Sequence, residues 1–249
     1  MIHNVNNQIQ KIFERYCNTQ IASSFYFSKG FSEKIIHKFN LIEVDKLYDD
    51  KDFRSLFQNK TDAFYRNYRY IIPGFDEYGK IDYLIFRRDE NCDICYKDKQ
   101  SVNYLHKHEY AGDINRGLGK LYNPYPLLNL NLENIFLVES WTDALSIEEI
   151  GYSALAMNRV ANANTVFKLL LDRNKEKIKS KMFIIMCDND SIGQDANEEI
   201  SKILDSYNLR YRIINNYPVG IKDANEWLVS DKEGFSYFIN TLVRKNFNG

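Results

Sequence analysis

Several features are missing from this 249-residue sequence, and each absence removes a class of protein. No apolar run approaches the roughly 18 residues a membrane-spanning helix needs, so no transmembrane helix is expected. The polar start, Met1 to Gln10, lacks the hydrophobic stretch of a secretion signal, which makes a cytoplasmic protein the expectation. Cysteine is scarce: Cys17, Cys92, Cys95 and Cys187 read as reduced thiols, not as a disulfide framework. Neither charge dominates, since 33 Lys+Arg face 34 Asp+Glu for a net charge of −1. A surface that is basic all over is thereby excluded, while a local nucleic-acid groove is not. The helicase P-loop pattern GxxxxGK[ST] is absent, and so are internal repeats and low-complexity tracts.

What remains is a chain that is 44% hydrophobic, enough for one large core or two modest ones. Its 18 Tyr and 16 Phe belong mostly to core or half-buried sheet positions, with some available to stack on bases. Up to residue 130 there are 19 Lys+Arg against 17 Asp+Glu, and beyond it 14 against 17. The sign of that small asymmetry suits a substrate-gripping first half and a metal-binding second half.

The first 60 residues read as helical, with a loop-like Phe27 to Phe31 and an N-cap serine, Ser32, ahead of Ile35, Ile36 and Phe39 on one face. Two strand patterns, Tyr68 to Pro73 and Ile81 to Phe86, flank the turn signal Asp76 to Gly79 and predict an antiparallel hairpin. Asp89 to Gln100 reads as a polar loop, and Leu118 to Leu130 as an irregular connection. From Ile135 the rhythm becomes strand–helix–strand. Strands are expected at 135–138, 152–157, 182–187 and 210–215. Helices are expected at 142–150, stopping at Gly151, at 165–179, and after the strand ending at Cys187, the last with Ile192, Ala196, Ile200, Ile203 and Leu204 on one face. A terminal amphipathic helix carries Phe235, Phe238, Ile239, Leu242 and Val243. The series predicts an α/β fold with a parallel sheet flanked by helices, preceded by a mixed α+β subdomain. The expected boundaries are 1–130 and 131–249.

Acidic residues stand where those strands run out. Glu139 closes Ile135 to Val138, Asp188-Asn189-Asp190 closes Met182 to Cys187, and Asp223 follows the next strand. In a parallel sheet such points lie side by side, where ligands bind. Crowded carboxylates repel unless a cation holds them, and oxygen-only ligands favour Mg²⁺ or Mn²⁺. Residues i and i+2 leaving a strand point the same way, so Asp188 and Asp190 can clamp one ion; an Asx turn capping the next helix is the plainer alternative. Asp143, in the first turn of a helix, suits either the helix dipole or a bound cation, and Asp223 either an N-cap or the site.

These segments together resemble the Toprim domain of DnaG-type primases, topoisomerases and certain nucleases. The resemblance rests on Val138-Glu139-Ser-Trp-Thr-Asp143-Ala-Leu with Gly151, on Cys187-Asp188-Asn-Asp190-Ser-Ile-Gly193, and on Lys222-Asp223-Ala-Asn225-Glu226. It implies Glu139 as a metal-adjacent acid or base, Asp188 and Asp190 as ligands, and a second acidic pair where this chain has Asp223 and Asn225. The first half is similar to the start of a DnaG-type RNA polymerase domain, through Lys29-Gly-Phe-Ser32, Arg69-Tyr-Ile-Ile-Pro73-Gly-Phe-Asp76-Glu-Tyr-Gly79 and Arg87. By that resemblance Arg69 and Arg87 grip template or nucleotide phosphates, with Lys107, Arg116 and Lys120 placed less securely. Physically, guanidinium forks on neighbouring strands suit phosphate, and exposed sheet arginines are the bland alternative.

Cys92-Asp-Ile-Cys95 with His106 and His108 has no standard zinc spacing, so zinc is not expected. DnaG-type primases carry a separate N-terminal zinc-binding domain, and nothing before Phe27 resembles one. The expectation is therefore a primase-like nucleotidyltransferase making short RNA on a single-stranded DNA template from ribonucleoside triphosphates. A replicative helicase or a separate zinc-binding subunit is a candidate partner, and a phage or mobile element a fitting source. A Toprim nuclease and a catalytically silent replication module are the alternatives.

Overall fold

Two kinds of hydrophobic pattern build two kinds of sheet. The computed structural model describes residues 2–17, 23–44, 47–58, 60–112 and 121–245. They cluster into two compact units, the first made of 1–24, 36–74 and 80–116, the second of 25–35, 75–79 and 117–249.

The first unit opens with α1 (Ile2–Tyr16); α2 (Ser24–Ser28) and the start of α3 (Glu33–Lys38) fall largely in the second unit, and the short strand β1 (Ile42–Glu43) returns to the first. Then come α4 (Lys51–Leu56), α5 (Asp62–Asn67), β2 (Tyr68–Phe75), β3 (Ile81–Arg88) and β4 (His108–Gly112). Asp50 starts α4 by accepting from the amides of Asp52 and Phe53, and Thr61 starts α5 by accepting from Phe64 N. The sheet order is β1-β2-β3-β4. The five residues joining β2 to β3 form the expected hairpin, since so short a link permits only antiparallel pairing. β1 also pairs antiparallel with β2, Ile42 opposite Ile71. The sequence pattern missed β1, because two residues show no periodicity. Ile9 and Ile12 of α1, Phe53, Phe64, Leu84 and Phe86 share one core.

The second unit carries β5 (Asn134–Val138), α6 (Trp141–Glu149), β6 (Ala154–Ala156), α7 (Lys168–Arg173), α8 (Lys175–Ile178) and β7 (Met182–Ile185). They lead to α9 (Ser191–Ser206), β8 (Arg210–Ile213), α10 (Ala224–Ser230) and α11 (Lys232–Lys245). Its strands are parallel in the order β6-β5-β7-β8, with Leu137 opposite both Leu155 and Ile185. The α/β class with a preceding antiparallel subdomain is as expected. Since β6 lies on one side of β5 and β7 on the other, the strand order reverses between β5 and β7. That switch point is where open α/β sheets form a crevice at the strands' carboxyl ends.

Details differ from the expected pattern. The helix expected over 165–179 is broken: a π-type turn at Ala163–Phe167 leads into α7, which ends at Asn174 before α8. Ile192 is 65% exposed, off the buried face of Ala196, Ile200, Ile203 and Leu204, because it sits in the first turn beside the strand-end loop. In the irregular connection, Tyr122 makes a two-way backbone bridge to Ala156 at 2.8 and 2.9 Å. Among the described residues no helix is long and apolar enough to cross a membrane.

Ser32 is not the side-chain cap its position suggested. Its amide and its hydroxyl both donate to Glu149 Oε2, each at 2.8 Å, and Lys232 pairs with Glu149 Oε1. The Glu149 side chain, only 4% exposed, thus ties together three segments far apart in sequence. Replacing a buried acceptor leaves its donors without partners. Glu149→Leu is therefore expected to lower unfolding free energy by about 2–4 kcal/mol in urea titrations.

Candidate functional site

β5 and β7 are buried along their length because helices cover both faces, so polar side chains first appear where the strands end. Pairing of Leu137 with Ile185 brings Glu139 level with the 187–188 step. There Asp188 N donates to Glu139 Oε1 at 3.0 Å. Asp190 is the N-cap of α9, its Oδ1 accepting from Gly193 N at 2.9 Å. Asn189, between the two acids, turns away: its amide donates to Lys222 O at 2.6 Å and its side chain to Ile221 O. Asp188 Oδ2 and Asp190 Oδ2 instead converge on the Lys222 ammonium, at 3.0 and 3.4 Å.

Electrostatics follow from this crowding. Burial, then the charge of Asp188, raises the Glu139 carboxyl above its ordinary pKa. Burial raises Asp188 as well, with Lys222 opposing. The Gly193 amide holds Asp190 below the usual range. Lys222 is raised, chiefly by its hydrogen bond to Asp188. Beneath the loop, the hydroxyl of the half-buried Tyr217 donates to Cys187 O at 2.9 Å and ties down the end of the strand extension.

Asp143 and Asp223 each accept hydrogen bonds from within the second unit. Asp143 is buried; its Oδ2 accepts from Ser140 Oγ at 2.5 Å and its Oδ1 from Asn225 N at 3.2 Å. Burial, and secondarily the charge of Asp223, lifts it well above the normal carboxylate range. Asp223 caps α10 through Glu226 N at 2.7 Å. The side-chain amide of Asn225 donates to Lys29 O and to Ser146 Oγ, both at 2.9 Å. A carboxylate at 225 could not donate to that carbonyl, so the position expected to carry a second acid is built for an amide.

Among the described residues, no three His, Cys, Asp or Glu side chains are gathered closely enough to hold a metal by themselves. Asp188 and Asp190 nevertheless share one cation position, marked by Lys222 Nζ, and their oxygen-only donors suit a hard divalent ion. Cys92 and Cys95 are half-buried, and His108 lies in β4 opposite Arg87.

Arg69 and Arg87 are engaged within the first unit. Arg69 pairs with Glu43 at 3.2 Å and Asp89 at 3.3 Å. Arg87, with a side chain only 6% exposed, pairs with Glu90. Lys107 is exposed in a bend just before β4 and lends its carbonyl to Arg88 N. Arg116 and Lys120 lie outside the described residues.

Residues 136–228 match a protein family described as Toprim-like. No curated protein matches the chain. Solved structures do. The zinc-binding and RNA polymerase domains of Aquifex aeolicus primase align over 97% of this chain and 60% of that one, at 19% identity and a TM-score of 0.69. The RNA polymerase domain of Mycobacterium tuberculosis primase DnaG aligns over 95% and 82%, at 12% identity and TM-score 0.66. A DnaG primase catalytic domain bound to single-stranded DNA aligns over 97% and 78%, at 18% identity and TM-score 0.65. The chain has the fold of a DnaG-type primase catalytic core. It spans about three-fifths of the Aquifex aeolicus chain.

The candidate acids Glu139, Asp188, Asp190, Asp143 and Asp223 all lie in the second unit. Lys222 and Tyr217 join them without having been expected from the sequence. Lys222 directly precedes Asp223 in the motif, which was the available signal; Tyr217 had none.

Two substitutions test the construction. A Cβ on Gly193 would lie 2.0 Å from Asp188 O, a backbone clash that forces the 188–190 loop away from α9. Gly193→Ala is expected to cost about 2 kcal/mol of stability in urea titration. Asn225→Asp sets a carboxylate against the Lys29 carbonyl, and a loss of about 1–3 kcal/mol at pH 7 is expected by the same measurement.

Proposed function

We propose that the chain is a primase-like nucleotidyltransferase that joins ribonucleoside triphosphates into short RNA on single-stranded DNA. The observation that carries this reading is the convergence of Asp188 and Asp190 on one cation position at the β5–β7 switch point, within a fold shared with primase catalytic cores. Asp188 and Asp190 would hold Mg²⁺ or Mn²⁺, with Glu139 alongside; the ion supplies neutralisation of charge on the attacking and leaving oxygens. Glu139, its carboxyl raised by burial and by Asp188, is suited to take a proton from a 3′-hydroxyl. Arg69, Arg87, Lys107, Arg116 and Lys120 are the proposed contacts to template or nucleotide phosphates. For Arg69 and Arg87 this means exchanging Glu43, Asp89 and Glu90 for phosphate oxygens. A cytoplasmic setting, and a helicase or separate zinc-binding subunit as partner, complete the proposal.

A second reading, a replication module without catalysis, draws on Asn225, which stands as a donor where a second acidic pair is expected. The two are separated by incubating the protein with single-stranded DNA, labelled ribonucleotides and Mg²⁺ or Mn²⁺. Short labelled oligomers are expected, falling at least 100-fold in Glu139→Gln and Asp188→Asn, roughly the range of removing a group acting in proton transfer or charge stabilisation. Shortened DNA without RNA would reassign the site to a nuclease, and neither product would favour the silent module.

A further inference from the structure

Lys222 is the one cation the fold sets against the acidic pair among the described residues. Its backbone is anchored on both sides: its carbonyl accepts from Asn189 N at 2.6 Å, and its amide donates to Glu226 Oε2 at 2.8 Å. Its side chain is 51% exposed, whereas Asp188 is 18% exposed. The ammonium can therefore leave by rotation of its own stem, without movement of the loop that carries it.

We propose that Lys222 makes the site discriminate against a free divalent ion and in favour of the ion already carried by a nucleoside triphosphate. This rests on the reading of Asp188 and Asp190 as ligands. An ammonium 3.0 Å from Asp188 Oδ2 and 3.4 Å from Asp190 Oδ2 occupies the position where those oxygens would meet an ion. A free ion must displace it and then tolerate a second positive charge close by. An ion bound to a triphosphate arrives with an excess of negative charge, and the displaced ammonium, a compact three-donor point charge, gains phosphate oxygens as partners. The same lysine thus opposes one form of the ion and assists the other. An ordinary surface salt bridge would do neither: it would shift both affinities little, and in the same direction.

The test is calorimetric and independent of turnover. Mn²⁺ alone, and Mn²⁺ with a non-hydrolysable ribonucleoside triphosphate analogue, are titrated into the full chain and into Lys222→Met, Lys222→Arg and Asp188→Asn. Lys222→Met is expected to bind free Mn²⁺ about three- to tenfold more tightly and the Mn²⁺–nucleotide complex about three- to tenfold more weakly, the range expected from losing one or two exposed charge pairs. Lys222→Arg, which keeps the charge, should stay near the parent in both titrations. Asp188→Asn should lose free Mn²⁺ binding. Changes of the same sign in Lys222→Met, or no change, overturn the inference alone. Mn²⁺ binding that survives Asp188→Asn, or that is absent from every variant, overturns the reading of the site and the inference together.

Discussion

The site depends on the parallel pairing of β5 with β7. Register places Glu139 and Asp188 at neighbouring strand ends, where one backbone amide, Asp188 N, binds the Glu139 carboxylate. Nothing in the loops could bring these acids together if the strands were separated by another or shifted by one residue, since a one-residue slip exchanges the faces of every side chain. The order β6-β5-β7-β8 makes them neighbours, and the hydrophobic strands that end there supply the rigidity. The chemistry is thus borrowed from the core.

Gathering like charges at a half-buried position is unfavourable, and the fold offsets it locally. Asp190 is held by the first turn of α9 and Asp188 by Lys222, while Glu139 and Asp143 take up the remaining strain as raised proton affinity. Asn225 extends the same economy: its amide satisfies Lys29 O and Ser146 Oγ without adding a further charge beside Asp143. An amide at Asn225 and an ammonium at Lys222 thus stand beside the acids where further carboxylates would add repulsion. The glycine at 193 is equally constrained, by the approach of α9 to the Asp188 carbonyl.

Much of this was legible before any coordinates. The apolar runs ending in Glu139 and in Asp188-Asn-Asp190 announced buried strands with acids at their tips, and Ala196, Ile200, Ile203 and Leu204 announced the covering helix. Strand order was not legible, because periodicity reports which face is buried and not which neighbour is paired. β1, two residues long, falls below the length at which alternation can be seen, and the break at Asn174 lies inside a continuous helical pattern. The ion pairs of Arg69 escaped for another reason: Glu43 and Asp89 are 26 and 20 residues from it, and only tertiary folding brings them near. Lys222 adjoins Asp223 in sequence, whereas its partners Asp188 and Asp190 lie on a different strand end.

The Glu149 cluster has a practical consequence for dissecting the molecule. Ser32 and the Lys29 carbonyl come from near the start of the chain, yet they complete the hydrogen bonding of α6 and α10. The compact unit holding the acidic residues is therefore discontinuous in sequence. A fragment expressed from the first strand of its parallel sheet onward would present Glu149 and Asn225 with missing partners, and its behaviour would report that injury more than the properties of the site. A fragment intended to preserve the site has to keep residues 25–35, through a linker or by permuting the chain.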